Sequence, residues 1–432
     1  MPVGPLVSRF GRFFEWESMQ YDVFFSISQT PVAGATPTEA EMFGNFFDQV
    51  QLADRLGFGT AWIAESHLSS EVQKTNRRPV IPHWEGEVGL NADFLQLAHQ
   101  VFSKTQHIEM GSAVMNILCM GGPIAHAERI GVFLALHGLN PEERRRINVG
   151  FAAGRFQFMN EASGIVPRDG VEEAAWPAMK GLIFREASEI FCRLLSGETL
   201  NSSQVGSTLL SRANFRSDED WERVQDAAMV RDDLEARPES VPVANRWAFE
   251  NLKIVPQDFR RDLLQLIIGS HEPATQEFVN TMRPVQVFNL SITRQDVIDD
   301  THKRMEKAYH PDGGAWQRSY MPRTTFVFLN ERPGLSPKER SAAAHREARE
   351  ALSAYWKALQ GTLDPTKVER AADNALIGTA DEIADQMVER FHPDDRLMLW
   401  FDFFNHDNDR VMANMEDFMT HVRPRVDERL GR

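Results

Sequence analysis

A carboxylate and an imidazole stand two residues apart in Glu65-Ser66-His67, directly after the apolar run Thr60-Ala61-Trp62-Ile63-Ala64. Imidazole moves protons near neutral pH, so His67 is the leading catalytic candidate, with a hydrogen-bonded core histidine as its alternative. Glu65 reads as a brace for the strand end rather than a reacting group. Gly269-Ser270-His271 separates the run Leu263–Ile268 from a predicted helix over Ala274–Met282. Backbone N–H groups, a hydroxyl and a helix dipole meet there, a combination suited to phosphate, and Thr275 adds a second hydroxyl in the first turn. The alternative for Ser270 is a plain N-cap. Asn116 and Cys119 follow the run Ile108–Met115, and Gly150, Gly154 and Arg155 end or follow Ile147–Ala152. Cys119 reads as a buried, inert thiol. Asp402, His406, Asp407 and Asp409 are close enough to suggest a metal. A metal wants a further ligand converging from another strand, so a solvated turn and no metal site are expected.

These residues share a position, the C-terminal end of a strand. Strands are predicted at Tyr21–Ile27, Thr60–Ala64, Ile108–Met115, Ile147–Ala152, Leu263–Ile268, Val285–Leu290, Thr324–Leu329 and Leu397–Phe403. Thr36-Pro37-Thr38-Glu39 reads as a capping box opening a helix whose apolar face is Phe43, Phe46, Phe47, Val50, Ala53 and Leu56, closed by Gly57. Further helices are predicted at Phe94–Lys104, Ile124–His137, Ala178–Leu195, Pro337–Leu359 and Arg410–Val422. Strands this uniformly apolar are buried on both faces of a parallel sheet. The order predicts an α/β protein, a (β/α)8 TIM barrel, whose active site lies at the C-terminal strand ends. An N-terminal extension is expected over residues 1–18 and a single barrel over 19–432. Insertions follow strand two (Leu68–Gly89) and helix four (Leu200–Asn245), the stretch 200–245 being a polar insertion or lid with a helix at Asp218–Ala236.

The chain has 432 residues and a formal net charge of −15. Nucleic-acid binding needs clustered Lys and Arg, so that partner is not expected. No apolar run approaches the roughly 20 residues that cross a bilayer, and Met1–Ser18 lacks the order of a signal peptide. A cytoplasmic protein with two reduced thiols, Cys119 and Cys192, is expected.

Five segments in order resemble the bacterial luciferase-like flavin-dependent monooxygenases. They are Gly57-Phe58-Gly59-Thr60-Ala61-Trp62-Ile63-Ala64-Glu65-Ser66-His67-Leu68, Ile108-Glu109-Met110-Gly111-Ser112-Ala113-Val114, the helix start holding Pro123 and Glu128, Arg146-Ile147-Asn148-Val149-Gly150, and Ile377-Gly378-Thr379-Ala380-Asp381-Glu382-Ile383-Ala384. The resemblance spans about Met19 to Pro424 and is weakest over Leu200–Asn245. It implies that reduced FMN reacts with O2 to give a flavin hydroperoxide, which oxygenates a small organic substrate. A separate flavin reductase would supply the reduced FMN, since no G-x-G-x-x-G run is evident. Ala113-Val114 fall where many members have a cis peptide under the isoalloxazine ring, or form a plain buried strand. Asn116 faces the flavin edge or caps the strand. Many members carry an arginine after strand four; Ala153 holds that place here, leaving Arg155 as a phosphate ligand or a surface residue. The family's first paired histidine is Ser66 here, and His67 holds the second position, which puts aldehyde oxidation in doubt. A deazaflavin-dependent hydride transfer, a non-catalytic flavin-binding subunit and a metal-dependent barrel enzyme are the alternatives. Association into a homodimer or homotetramer is implied by the resemblance alone.

Overall fold

Several helices that feed the sheet are capped by their own polar residues. In the computed structural model, which describes residues 19–77, 79–289, 293–360 and 373–432, β1 (Gln20–Phe25) leads to α1 (Glu39–Leu56). The reciprocal capping box is formed by Thr38 and Glu41, two residues past the expected Thr36–Glu39, and Gly57 closes the helix in the left-handed conformation at φ 81°. Asp54, in the last turn of α1, accepts the N–H groups of Gln106, His107 and Ile108 at 2.9, 2.7 and 2.7 Å. One carboxylate thus sets the entry of β3 (Glu109–Asn116) beside the end of α1.

Between them lie β2 (Thr60–Ile63), the short α2 (Ser70–Gln73) and α3 (Phe94–Lys104). Then come α4 (Gly122–His137), β4 (Ile147–Ala152), α5 (Gln157–Ala162) and α6 (Gly170–Leu195). The insertion folds as β5 (Thr208–Leu210), α7 (Asp218–Asp232) and β6 (Val241–Val243). The barrel resumes with β7 (Leu264–Ile268), α8 (Pro273–Asn280), β8 (Gln286–Val287), α9 (Gln295–Ala308), β9 (Arg323–Leu329) and α10 (Pro337–Leu359). It ends with β10 (Leu376–Gly378), α11 (Ala380–Arg390), β11 (Arg396–Trp400), α12 (Asn408–Asp417) and α13 (Arg423–Arg429).

The sheet runs β10-β9-β11-β1-β2-β3-β4-β7-β8 and its pairings are all parallel. Past β8, Asn289 bridges in parallel to Arg323: its N–H donates to Pro322 O at 3.2 Å, and its carbonyl accepts from Thr324 N at 3.3 Å. That bridge carries the sheet from its last strand back to β9, in a (β/α)8 barrel with β10 as a short extra strand. Phe24, Trp62, Ile267, Phe288 and Met398 fill the interior, and the main core lies between the strands and the helices. Trp62 is fully buried and leaves no room for a side chain at residue 111: a Cβ on Gly111 would sit 2.4 Å from its ring.

Several boundaries differ from the sequence reading. The sixth helix begins at Gly170, capped by Asp169, and runs through Pro177, where Ala178 was the expected start. A proline removes one N–H without ending a helix whose buried face continues on both sides of it. β11 stops at Trp400, because the chain turns off and Phe404 takes φ 50°. The sixth predicted strand keeps only Gln286–Val287 and the Asn289 bridge, while its end at Leu290 lies outside the described residues, as do Met1–Ser18 and Arg78. The insertion's Leu210, Trp221, Val224, Ala228, Val241 and Val243 join the main core. Its exit is clamped to α6: Glu186 accepts the N–H groups of Arg246 and Trp247 at 2.8 and 3.1 Å, and Arg246 pairs with the buried Glu172 at 3.1 Å.

Asp22 is the buried charge inside this frame. Its Oδ2 accepts from Trp62 Nε1 and Arg396 Nε, each at 2.6 Å, and its Oδ1 from Thr60 N at 3.0 Å. Arg396 Nη2 also donates to Thr60 Oγ1 at 2.6 Å. Asp22→Ala leaves the Arg396 guanidinium buried and uncompensated. The expected cost is about 3–5 kcal/mol, read as a large fall in the thermal or urea midpoint, and larger than that of an exposed aspartate such as Asp48→Ala.

Candidate functional site

The C-terminal strand ends surround a cavity of about 700 Å3, within the size range of cofactor and ligand sites. His67, Ala113, Val114, Asn116, Arg155, Gly269 and Ser270 all line it. Thr275 does not: it is buried in α8, and its hydroxyl donates to Glu272 Oε2 at 2.7 Å.

On the β2–β3 side, His67 and Glu65 are buried with side-chain exposures of 7 % and 3 %, and His67 Nε2 lies 3.1 Å from Glu65 Oε1. The same Oε1 accepts the N–H of Asn116 at 3.2 Å, so Glu65 ties the end of β2 to the end of β3. With Nε2 donating to this carboxylate, Nδ1 is left as the acceptor nitrogen of the ring. Asn116 spends its side chain locally: Nδ2 donates to Asn160 Oδ1 at 2.8 Å and Oδ1 accepts from Leu118 N at 3.1 Å. The Ala113–Val114 peptide is cis, the geometry the resemblance implied for this pair, and the β3–β4 register shifts between Ser112 and Met115. Both residues pack on the barrel interior beside Phe24 and Trp62.

Opposite, β4 and β7 meet at Gly269 N→Phe151 O, 2.8 Å, which sets their exit loops side by side. Gly154 is at φ 72° against Asn116, whose Nδ2 a Cβ would approach to 2.1 Å, so only glycine fits this turn. Arg155 is exposed, with its guanidinium 5.4 Å from the Phe156 ring centroid. Lys180 of α6, half-buried, donates to Gly154 O at 2.8 Å. Among the described residues neither cation has a carboxylate within ion-pair distance, and burial lowers the Lys180 pKa. Ser270 Oγ accepts from Glu272 N at 3.2 Å, and Glu272 is the N-cap of α8. Two cations without counter-ions beside a serine turn form a corner suited to an anion.

Aromatic residues make the remaining wall. Trp84 comes from the first insertion, Phe156 from the β4 loop, Tyr355 from α10, and Trp400, Phe403 and Phe404 from the end of β11. The Trp84 ring centroid lies 6.3 Å from Tyr355 and 6.2 Å from Phe404. Phe158 stands behind this wall, stacked on Phe156 at 6.2 Å. No described residue of 200–245 lines the cavity, whereas the first insertion contributes Trp84 and Val88. Asp402 also faces it; burial pushes its carboxyl up to about 7 against the lowering pull of the Trp400 side chain and nearby backbone. His406 turns its Nε2 to Thr30 O at 2.6 Å, and Asp407 caps α12 by accepting from Arg410 N at 3.1 Å. Among the described residues no group of three His, Cys, Asp or Glu side chains converges on a point, and no helix is long and apolar enough to cross a membrane.

The sequence reading passed over Lys180 and Tyr355, and it placed Asp402 at a strand end but weighed it only as a metal ligand. Lys180 is the cation of an otherwise apolar stretch, Ala178–Phe184, one turn past Pro177, and that isolation is its signal. Tyr355 continues the buried stripe Ala348, Ala351, Leu352 of α10. Applied to β1, the strand-end rule also finds Ser26, Ser28 and Thr30, which line the cavity.

Solved structures share this fold across nearly the whole chain. The monooxygenase RslO1 from Streptomyces bottropensis is 16% identical and superposes with a TM-score of 0.63 over 94% of this chain and 99% of that one. The oxygenating constituent of 3,6-diketocamphane monooxygenase from Pseudomonas putida, solved in complex with FMN, is 13% identical with a TM-score of 0.56, covering 94% and 98%. An F420-dependent secondary alcohol dehydrogenase, in complex with an F420-acetone adduct, is 13% identical with a TM-score of 0.54, covering 95% and 99%. No family model matches the chain, and no curated protein does. At these identities the likeness establishes the fold, the luciferase-like (β/α)8 barrel.

Cys119 lines none of this cavity, and burial raises its thiol pKa, as it raises that of Cys192, pushed up to about 12. The native protein should therefore show no fast-reacting thiol, and both cysteines should label only on unfolding. Rapid labelling of Cys119 at neutral pH would contradict the site geometry.

Proposed function

We propose that the protein is a flavin-dependent monooxygenase that takes reduced FMN from a separate reductase and uses O2 to oxygenate a small organic substrate. The observation that carries this reading is the convergence, in one cavity, of the β3 bulge at Ala113–Val114, the Arg155–Lys180–Ser270 corner and the buried Glu65–His67 pair. The corner fits the phosphate of FMN, in a loop too tight for a side chain on Gly154. The bulge fits the ring system: it presents Ala113 and Val114 to the cavity, and a Cβ on Gly269 would already meet Val114 Cγ2 at 3.3 Å. Bound reduced flavin would supply the electrons that activate O2.

The chain's own groups divide the remaining work. Arg155, Lys180, Gly269 and Ser270 hold the anion, while Thr275 supports the turn through Glu272. Glu65 fixes the His67 ring so that Nδ1 accepts a proton from the reacting ligand. Trp84, Phe156, Tyr355 and Phe404 exclude water and contact an apolar substrate. Asn116 shapes the turn rather than reaching the flavin with its side chain. Val132, Leu136 and Leu139 are 42 %, 54 % and 76 % exposed along and just past α4, an apolar stripe that supports self-association as a homodimer or homotetramer. A deazaflavin in the same cavity, serving hydride transfer, is the second reading; the likeness to the F420-dependent dehydrogenase favours it.

His67→Ala should lower turnover with reduced FMN by about 10²–10⁴-fold while changing FMN affinity little, the signature of a lost proton-transfer group. Lys180→Gln and Ser270→Ala should do the reverse, weakening FMN about tenfold and leaving riboflavin, which lacks the phosphate, unaffected. Stopped-flow oxidation and fluorescence titration read the two effects. Equal loss of FMN and riboflavin in both variants would sink the phosphate assignment.

A further inference from the structure

Asp402 is the cavity carboxyl to which the reading above gives no role. It stands at the mouth of β11, and along the sheet order β11-β1-β2-β3-β4 it is four strands from the wall that carries Arg155. In an eight-strand circuit that is the opposite side of the barrel, so Arg155 and Lys180 do not compensate it. Its Oδ1 is buried with no hydrogen-bond partner among the described residues. Trp400, Phe403 and Phe404 flank it in the wall, and no arginine or lysine pairs with it among the described residues. A carboxylate in such a place is disfavoured by desolvation, which the Trp400 side chain and the backbone at Ser26 and Asp402 offset only in part, whereas the neutral acid keeps an O–H to donate. Behind it a small cavity of about 10 Å3, lined by Asp402, Asn405 and His406, has the volume of about one water.

We propose that Asp402 is held as a neutral carboxylic acid and delivers its proton to an oxygen of the ligand bound in the cavity, as a proton-bearing residue separate from His67. The Asp402 O–H bond breaks, an O–H bond forms on a ligand oxygen that has gained negative charge, and water restores the proton. The ligand's identity rests on the flavin reading; the protonation state of Asp402 does not. Burial sets the direction, pushing the carboxyl up to about 7. The other ionisable groups facing the cavity are Glu65 and His67 after β2, Arg155, Lys180, Tyr355 of α10, His271 and Glu272 after β7, and His406 beside it. Of these, burial lowers the His406 pKa, and its Nε2 is occupied by Thr30 O, so it does not supply the same proton.

Infrared spectroscopy of the ligand-free protein separates a carboxylic acid from a histidine. The expected result is a carboxylic-acid C=O band that shifts in D2O, disappears as pH rises through about 7, and is missing from Asp402→Asn. The same shift predicts a stability effect. An aspartate raised from 3.8 binds its proton more tightly folded than unfolded, so the wild type loses stability relative to Asp402→Asn between about pH 4 and 7. With reduced FMN, wild-type turnover should fall about tenfold per pH unit on the alkaline side, and Asp402→Asn should lose that limb while binding FMN within about twofold of wild type. Absence of the band at neutral pH, its survival in Asp402→Asn, or an unchanged alkaline limb in that variant overturns the proposal. Should Asp402→Asn not fold, Asp402→Glu must shift the band. A band with no flavin turnover at all overturns the oxygenase reading and proton delivery to that ligand, leaving the neutral acid demonstrated.

Discussion

The carboxylate of Asp22 joins three strands that are far apart in the chain. It takes one hydrogen bond from Trp62 and one from Arg396, and a third from the backbone of Thr60, so β11, β1 and β2 are held in register at the seam where the last strand meets the first. The pairing is satisfied from every side, which is what makes a buried charge tolerable and its half-removal costly. Because side-chain direction alternates along a strand, a slip of one residue at this seam would turn Glu65 and Asp402 out of the cavity. The whole upper rim depends on this lower clasp.

Above it, the barrel sorts chemistry by wall. The β2–β3 side carries a buried acid–base pair, the β4–β7 side carries cations without counter-ions, and the β11 side carries aromatic rings around a lone carboxyl. Separation across the cavity leaves the Asp402 carboxyl without a cation beside it, and burial raises its pKa. The insertion 200–245 takes no part in lining it. Its Leu210, Trp221, Val224, Ala228, Val241 and Val243 serve the core, and its exit is fixed by Glu186 and Glu172 on α6.

Most of the strand order was legible because buried parallel strands are mostly apolar on both faces, and Tyr21–Phe25, Ile147–Ala152 and Leu264–Ile268 are of that kind but for Asp22, Asn148 and Gln265. Where strands are short the signal fails: β8 has two ladder residues and β10 three, and the barrel closes there on the backbone of Asn289, which no side-chain pattern announces. Helix α9 was invisible as a core element because only Ile298, Thr301, His302 and Met305 of its fourteen residues are buried. At the site, residues next to a strand end were found by position, whereas Lys180 and Tyr355 arrive from helices and depend on tertiary packing. Thr275 shows the converse. Its type and spacing suited phosphate, yet a local hydrogen bond to Glu272 takes its hydroxyl, a competition that sequence spacing does not reveal.

Trp84 and Trp400 line the cavity, so their emission reports what enters it. The most direct measurement is an anaerobic fluorescence titration of the protein with reduced FMN and, separately, with a reduced deazaflavin, followed by admission of O2. Saturable quenching by reduced FMN at one site per chain, weaker binding of the deazaflavin, and O2 uptake by the FMN complex are expected. Saturation by the deazaflavin alone, or an FMN complex that is inert to O2 with every organic substrate offered, would contradict the monooxygenase reading.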